Sequence, residues 1–265
     1  MRTSVPTLFF LGALLVGCGG SGGGSGAAAP APAPGAAPAP QSAGGVWVAT
    51  TPPVSTLTLL IAETGEMRVT GAGPSFGAGA VIVTNNNQVS GSYQTRSIQA
   101  SPTTPAAPDR DCTVQGTVTT RASLQLTVRC TDTTGATTEE NLSFFYDATY
   151  SAGSSLAAIA GNYTLEFRPA TNTLNINGDG TLFGMFDNGP QCVLNGRVEI
   201  IAAEFDLYRL TVSFSNCTRL PRYEGITMTG FARRAMPVPT GAFYALLTGV
   251  VDGRLQHVSV LYVPA

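Results

Sequence analysis

Lysine is absent from this chain of 265 residues, and histidine occurs only once, as His257. All 14 basic residues are therefore arginine, and charged residues make up only 11% of the chain. With a formal net charge of −2, the protein has no global field that would attract nucleic acid, so we expect no nucleic-acid partner. The single histidine also excludes an H-E-x-x-H zinc site. We expect no catalytic residue, no metal and no cofactor.

Long hydrophobic runs are missing as well, apart from one at the N-terminus. Residues 5–17 are apolar except for Thr7, and Arg2 is the only charge before them. This length suits the core of a signal peptide and is too short for a membrane-spanning helix, which needs roughly 20 residues. The run ends in Leu-Val-Gly-Cys at residues 15–18. This stretch resembles the lipobox of bacterial lipoproteins.

The lipobox resemblance implies that residues 1–17 are a lipoprotein signal peptide and that Cys18 carries the lipid. In that family the cysteine thiol receives a diacylglyceryl group, and two or three acyl chains give a stable membrane anchor. The next residue is Gly19, whereas an aspartate at this position tends to retain Gram-negative lipoproteins in the inner membrane. We therefore expect a lipid-anchored protein of the outer membrane, on either its periplasmic or its surface face.

The segment after the cysteine contains no charge and no large apolar residue. It reads GGSGGGSGAAAPAPAPGAAPAPQSAG at residues 19–44, and such a composition cannot bury enough surface to fold. The glycine-serine part is typical of a flexible coil and the alanine-proline part of an extended rod. Residues 18–44 are therefore predicted to be the lipidated cysteine and a disordered spacer.

The rest of the chain is rich in Thr, Val and Gly, and strand-like runs recur about every 8 to 14 residues between turn signals. This pattern predicts an all-β protein. Short connections favour antiparallel pairing of neighbouring strands, and eight such strands can close into a small barrel, with a two-sheet sandwich as the alternative. Residues 154–161 predict a helical turn capped by Ser154 or Ser155 and ended by Gly161. For the second half the expected strands are 160–167, 172–177, 180–186, 190–199, 207–215, 223–232, 243–250 and 254–263.

Four short motifs occur twice in the same order, which predicts two homologous modules, 45–153 and 154–265. Gly45-Val46-Trp47 matches Gly161-Asn162-Tyr163. The other matches are NNQVSGSY (86–93) with GDGTLFGMF (178–186), CTVQGTV (112–118) with CVLNGRV (192–198), and LQLTVRC (124–130) with YRLTVSFSNC (208–217). Each module is predicted to be a meander of about eight strands.

This order of motifs resembles that of a group of uncharacterised lipoproteins of Gram-negative bacteria. Members of the group share a lipobox, a low-complexity spacer, and a segment that reads YDATYSAGSSLAAIAGNYT here, followed by a DG-x-L-x-G hairpin and C-x-x-x-G. The resemblance covers most of the chain. It implies a shared structure, but it carries no catalytic residue over to this sequence.

Four cysteines remain besides Cys18, two in each half, and an exported protein with an even number predicts disulfides. If residues 112–118 and 124–130 form a hairpin, Cys112 faces Cys130, Val114 faces Val128, Gly116 faces Leu126 and Val118 faces Leu124. The second pair is Cys192 with Cys217. Cys217 lies out of phase with the apolar face of residues 210–214, so we expect a β-bulge near Ser215-Asn216. Pairing between the halves, or a zinc site, is the alternative.

Other residues that could carry chemistry have simpler structural interpretations. His257 is expected to be a strand histidine beside solvent. Asn175, Asn177 and Asp179 resemble the start of a calcium loop, but position twelve is Phe186 and a hairpin turn explains them better. The arginines at 219, 222, 233 and 234 could contact lipid phosphate, and the alternative is that they are solvated on loops.

These observations favour a non-enzymatic envelope lipoprotein with a binding or structural role and an envelope protein or glycolipid as partner. The alternative is a lipocalin-like carrier, in which one barrel holds a lipid or another small hydrophobic ligand. Gly91, Gly116, Gly184 and Gly196 fit both interpretations, because glycines in strands either permit tight curvature or leave room for a ligand.

Overall fold

The computed structural model describes residues 41–50, 57–71, 75–97, 109–167, 170–187, 192–218, 221–234 and 241–265. The predictions for the signal peptide, for Cys18 and for nearly all of the spacer lie outside these residues. The described part is all-β and consists of two closed barrels with eight antiparallel strands each. The two-barrel prediction is therefore confirmed. None of the helices in these ranges is long and apolar enough to cross a membrane.

Barrel 1 is a meander in which each strand pairs with the next along the chain, and the first strand closes the barrel against the last. Its strands are β1 (Gly45–Ala49), β2 (Thr58–Ile61), β3 (Glu66–Thr70), β4 (Ser75–Val83), β5 (Gln88–Ser97), β6 (Arg110–Thr119), β7 (Ser123–Asp132) and β8 (Thr137–Tyr146).

Barrel 2 has the same topology and closes through pairing of its first and last strands. Its strands are β9 (Gly161–Phe167), β10 (Ala170–Ile176), β11 (Thr181–Asp187), β12 (Cys192–Ile200), β13 (Tyr208–Ser215), β14 (Thr227–Arg234), β15 (Phe243–Val251) and β16 (Arg254–Pro264). These bounds agree closely with the eight strands predicted for the second half.

Within the ranges that the structure describes, three short helical segments lie outside the strands. Two are 3₁₀ helices, at Ala148–Ala152 and Pro221–Tyr223, and the third is α1 (Leu156–Ile159). The predicted cap is confirmed, because the Ser155 side chain accepts a hydrogen bond from the Ala158 amide. The predicted end is one residue late, since Ala160 ends the helix and Gly161 already opens β9.

The register of β6 against β7 is the one that the sequence predicts. Cys112 lies opposite Cys130, and the three apolar pairs that follow are also as expected. Along β6 the buried side chains alternate with exposed Thr and Gln. A shift by one residue would turn every apolar side chain of this strand to solvent, so burial on one face fixes the register.

An aromatic residue on the first strand of each barrel makes the same local hydrogen bond. Trp47 Nε1 donates to the carbonyl oxygen of Ala43 at 2.8 Å, and the Tyr163 hydroxyl donates to that of Ile159 at 2.7 Å. Both acceptors lie four residues earlier, and both rings are buried. These aromatic side chains therefore place a large apolar group in each core while their polar atom remains bonded.

The structure corrects the alignment of the other repeated motifs. CTVQGTV lies on β6, the sixth strand of barrel 1, whereas CVLNGRV lies on β12, the fourth strand of barrel 2. NNQVSGSY and GDGTLFGMF likewise lead into the fifth and the third strand of their barrels. Each of these matches is displaced by two strands, which is one hairpin. Every hairpin of a closed meander has the same alternation of buried and exposed residues, so the displacement leaves the pattern intact.

Two glycines that lie between the second and third strands of their barrels make the same contact. Gly65 and Gly180 both lie in the turn between the second and third strands, with φ of 86° and 84°. Their carbonyl oxygens accept hydrogen bonds from the amides of Val81 and Val198 on the fourth strands, at 2.8 and 2.7 Å. Barrel 1 repeats this contact one hairpin later, where the Val118 amide donates to the Asn87 carbonyl at 3.0 Å. The correspondence at equal rank therefore rests on the matching order of eight strands in each closed ring.

The two barrels pack against each other through an apolar cluster that we call the seam. Its buried members come from both barrels and from the segments beside them: Val46, Leu60, Ala62, Tyr150, Phe205, Leu207, Phe231 and Leu246. The Arg68 guanidinium of barrel 1 lies over the Phe231 ring of barrel 2, 5.1 Å from its centroid, and Arg209 pairs with Glu66 at 2.6 Å. The seam holds the two barrels together as one body.

Candidate functional site

The interior of barrel 2 is nearly filled by its own side chains. The cavity at its centre has a volume of about 20 Å³, which is close to the space that one water molecule needs. Its lining is apolar and comes from six strands: Leu174, Leu182, Leu194, Leu210, Val212, Phe214, Ala245, Leu247, Val258, Val260 and Tyr262. This cavity has no room for a lipid chain.

The strand glycines permit close approach of neighbouring strands rather than leaving space for a ligand. A Cβ atom on Gly196 would overlap the carbonyl oxygen of Thr211 on β13, and one on Gly116 would overlap that of Gln125 on β7. The obstacles are backbone atoms and cannot rotate away. Of the two interpretations open from the sequence, tight curvature fits these two glycines.

The two disulfides join the predicted cysteines, with Cα–Cα distances of 4.0 Å for Cys112–Cys130 and 4.1 Å for Cys192–Cys217. Cys217 does point to the core side as expected, but the predicted β-bulge within the paired strands is not what turns it there. Pairing of β12 with β13 ends at Ser215, and Asn216 then adopts a left-handed conformation with φ of 55°. This single residue turns Cys217 into the core, where only 3% of it is exposed.

The expectation that His257 lies beside solvent is wrong. Only 6% of it is exposed, because its face of β16 packs against barrel 1. Its Nδ1 contacts the Thr248 hydroxyl at 2.9 Å, its ring stacks on Phe76 of β4, and Nε2 has no partner among the described residues. Burial, reinforced by the charges of Arg68 and Arg96, lowers the pKa of His257 to about 4. The imidazole is therefore neutral near pH 7.

The two arginines also have charged partners, so the group beside His257 is an electrostatic cluster at the seam. Arg68 pairs with Glu66 and Arg96 pairs with Asp109, each at 3.0 Å. Arg68, Phe76 and His257 border a space that is too small to hold a water molecule. Since no ligand atom fits there, the cluster contributes to packing between the barrels.

The predicted basic grouping is not a surface patch. Arg233 is 8% exposed and pairs with Asp147 at 3.3 Å, and Arg234 donates to Asp206 at 3.0 Å. Arg222 alone is exposed as expected, with its guanidinium 5.2 Å from the Tyr223 ring centroid. Arg219 lies outside the described residues. Lipid phosphate therefore has no access to a joint site on these arginines.

Asp206 is a buried carboxylate in the connection between β12 and β13. It is fully buried, and one of its oxygens has no hydrogen-bond partner within the described ranges. Burial, partly offset by the Arg234 guanidinium, raises the pKa of Asp206. For Asp147, burial acts in the same direction, but hydrogen bonds from Thr149 and the charge of Arg233 lower its pKa below the usual value. The two ion pairs fix the segment that links the barrels.

The calcium-like segment is a hairpin turn, as expected. The Asn177 amide bonds to the Thr181 carbonyl at 2.8 Å, and Asp179 accepts from the amide and hydroxyl of Thr181. Asn175 bonds to Asn162 on the neighbouring strand. Within the described residues, no three His, Cys, Asp or Glu side chains are grouped as metal ligands.

A further sequence pattern that is typical of catalytic serines occurs at residues 73–77. Residues 73–77 read GPSFG, which matches the G-x-S-x-G of the nucleophile elbow. That elbow requires a strand, a sharp turn and then a helix. Ser75 instead opens strand β4, so the required context is absent and the match carries no catalytic role.

The outer face of β5–β8 forms an exposed polar surface that we call the polar wall. It comprises four successive outward positions on each of four strands, all exposed or half-buried and none apolar. The positions are Gln88, Ser90, Ser92 and Gln94 on β5, Asp111, Thr113, Gln115 and Thr117 on β6, Gln125, Thr127, Arg129 and Thr131 on β7, and Thr137, Glu139, Asn141 and Ser143 on β8. Phe145, the next outward residue of β8, is 48% exposed and bounds the wall on that strand. Hydroxyl and amide groups dominate this surface.

Cross-strand hydrogen bonds order part of the polar wall. Gln94 donates to Asp111 at 2.9 Å and Thr127 donates to Asn141 at 2.8 Å. Neighbouring strands lie about 4.8 Å apart and outward positions along one strand about 7 Å apart. The wall therefore presents a regular array of groups that both donate and accept hydrogen bonds.

An open groove of about 910 Å³ lies where the polar wall meets β4. On the β4 side the groove is lined by Ala78, Gly79 and Ala80. Because these residues are small, no bulky side chain projects into the groove from that side. The wall supplies the polar lining, which includes Ser92, Gln94, Asp111, Thr113, Arg129 and Thr131. The groove is the candidate binding site.

The polar wall could have been found from the sequence, because the predicted β6–β7 register already places Thr113 and Arg129 on one outer face. Comparison with protein-family profiles, with curated proteins and with solved structures finds no match.

Proposed function

We propose that this chain is a lipid-anchored protein of the Gram-negative cell envelope, held in the outer membrane through Cys18, with a non-enzymatic role in binding or structure. The lipobox-like residues 15–18 and the spacer support the anchor. Two disulfides within the barrels fit an exported protein, because such bonds persist in oxidising compartments.

The observation that carries the binding role is the contrast between the inside and the outside of the barrels. The cavity within barrel 2 is about 20 Å³, whereas the groove on the outside of barrel 1 is about 910 Å³. Ligand sites usually occupy roughly 300 to 1,000 Å³. A partner is therefore bound on the outer surface rather than inside barrel 2.

The chemistry of the buried ionisable groups supports a non-enzymatic role. Catalysis requires a nucleophile, an acid or base, or a metal in fixed geometry. His257 contacts Thr248 and Phe76 beside two arginines, and Asp206 and Asp147 are paired with Arg234 and Arg233. These groups stabilise the contact between the barrels and its linking segment.

Replacing Cys18 with serine should release the protein from the membrane, because the hydroxyl cannot accept the diacylglyceryl group in the lipoprotein pathway. We expect loss of palmitate labelling and a shift of the chain from the membrane fraction to the soluble fraction. Cys112→Ala with Cys130→Ala is the control, since it removes two other thiols and should keep both label and membrane attachment. Retention of the Cys18→Ser variant in membranes after a high-salt wash would contradict the anchor.

The filled interior of barrel 2 and the buried apolar cluster of barrel 1 together predict that the protein carries no free lipid. Native mass spectrometry of the Cys18→Ser chain, which has no acyl chains of its own, should give the mass of the polypeptide alone. A co-purifying lipid at near-stoichiometric occupancy would displace the proposed role in favour of the lipocalin-like carrier.

A further inference from the structure

The composition of the polar wall excludes several classes of partner by chemistry. Polyanions such as nucleic acid are bound by several Lys or Arg side chains, and the wall has only Arg129 beside two carboxylates. Membrane surfaces bind apolar or strongly basic faces, and the wall is neither. Protein interfaces concentrate their binding energy in Trp, Tyr and Arg, of which Arg129 alone occurs on the wall.

We propose that the polar wall and its groove bind an uncharged oligosaccharide. This inference rests on the proposed binding role, because it names the partner of the same surface. Sugar hydroxyls both donate and accept hydrogen bonds, and so do the Ser and Thr hydroxyls and the Gln amides of the wall. The two sets of groups are therefore complementary without any requirement for net charge.

The geometry of the groove fits a chain of sugars better than a single small molecule. The groove is open and about 910 Å³ in volume, near the upper end of ligand sites. It continues into the wall, whose polar groups repeat about every 4.8 Å across the strands, a spacing similar to the length of one sugar unit. An extended oligosaccharide can thus contact successive strands with successive units.

Two charged side chains in the groove strengthen this recognition. Asp111 accepts and Arg129 donates, and hydrogen bonds that involve an ionised group are shorter and stronger than neutral ones. Their charges cancel, so the groove does not favour a charged ligand. Ala78 and Ala80 leave space beside them for the ring of a sugar.

Saturation-transfer difference NMR on the full chain in detergent tests the proposal with defined probes. Maltohexaose and chitohexaose represent uncharged oligosaccharides without and with acetamido groups, and a heparin hexasaccharide represents a polyanion. We expect saturable signals from at least one uncharged probe and none from the heparin fragment. Absence of saturable signal from both uncharged probes, or a stronger signal from heparin, would overturn the inference.

Matched variants locate the site. Thr113→Val with Thr131→Val removes two hydroxyls from the groove, and Thr173→Val with Thr229→Val removes two exposed hydroxyls from barrel 2. The groove variant should bind the uncharged probe about tenfold more weakly, since each lost hydrogen bond reduces affinity severalfold. The barrel 2 variant should bind as the original chain does. If both variants weaken binding of the probe equally, the groove is not the binding site.

The outcomes separate this inference from the proposed function. If the Cys18→Ser chain leaves the membrane as expected but neither oligosaccharide binds, the anchored protein stands and the sugar ligand is wrong. If oligosaccharide binds but Cys18→Ser remains in the membrane, the anchor is wrong and the ligand stands.

Discussion

Replacing Gly196 with alanine should lower the free energy of unfolding by about 3 kcal/mol or more, or prevent folding of barrel 2. The added Cβ would overlap the backbone carbonyl oxygen of Thr211 on the paired strand. A backbone atom within a ladder cannot move without disturbing the hydrogen bonds on both sides. Urea denaturation followed by circular dichroism measures the change.

Gly178→Ala is the matched control, because no atom lies within 4 Å of the Cβ that it would add. We expect the free energy of unfolding of this variant to lie within about 0.5 kcal/mol of that of the original chain, as is usual for surface substitutions. Gly116→Ala, which meets the carbonyl of Gln125 in barrel 1, should behave like Gly196→Ala. A stable Gly196→Ala protein that binds a small apolar ligand less tightly would instead indicate that the glycine leaves room for that ligand.

Acidification from pH 7 to pH 4 should remove about 3 kcal/mol of stability through His257 alone. The pKa of His257 falls from an ordinary 6.5 to about 4 in the folded protein. Between these values the unfolded chain binds a proton that the folded chain does not, so stability decreases as the pH falls through this window. The free energy of unfolding measured in urea at several pH values gives the slope.

His257→Gln isolates this effect, because glutamine stays neutral and other acidic groups are unchanged in the comparison. The difference in stability between the original chain and the variant should change across pH 6.5 to 4 and remain constant above it. Arg96→Gln removes one of the two arginine charges that lower the pKa of His257, so the total loss of stability on acidification should be smaller. Parallel curves for the original chain and His257→Gln would show that the buried imidazole is not coupled to folding.

Much of the fold could be predicted from local pattern, because one strand and its neighbour determine each other. The β6–β7 register followed from placing Val114, Val118 and Leu124 on one face, and the same register brought Cys112 to Cys130. The rank of each hairpin in its barrel could not be obtained in this way. Alternation is identical in every hairpin, and the hydrogen bond from a strand amide to a turn carbonyl recurs within barrel 1, at Val81–Gly65 and at Val118–Asn87. Only the order of eight strands in the closed ring fixes the rank.

The seam was missed because its signal differs from alternation. β1 and β2 read GVWVA and TLLI, and their residues are buried on both faces. Such continuous apolar runs are typical of strands covered on both sides. The burial of His257, Arg233 and Asp206 depends on how the two barrels meet, and a pattern within one strand contains no information about that contact.

The position of the first disulfide has a mechanical consequence for barrel 1. In a ring of eight strands, β6 and β7 lie diametrically opposite β2 and β3. Cys112–Cys130 crosslinks the first pair, while the seam holds Leu60 of β2 and Arg68 of β3 against barrel 2. Two neighbouring strands joined by a covalent bond cannot slide along each other. The register of β6 against β7, and with it the outer face that these two strands share, is therefore set by a disulfide as well as by backbone hydrogen bonds.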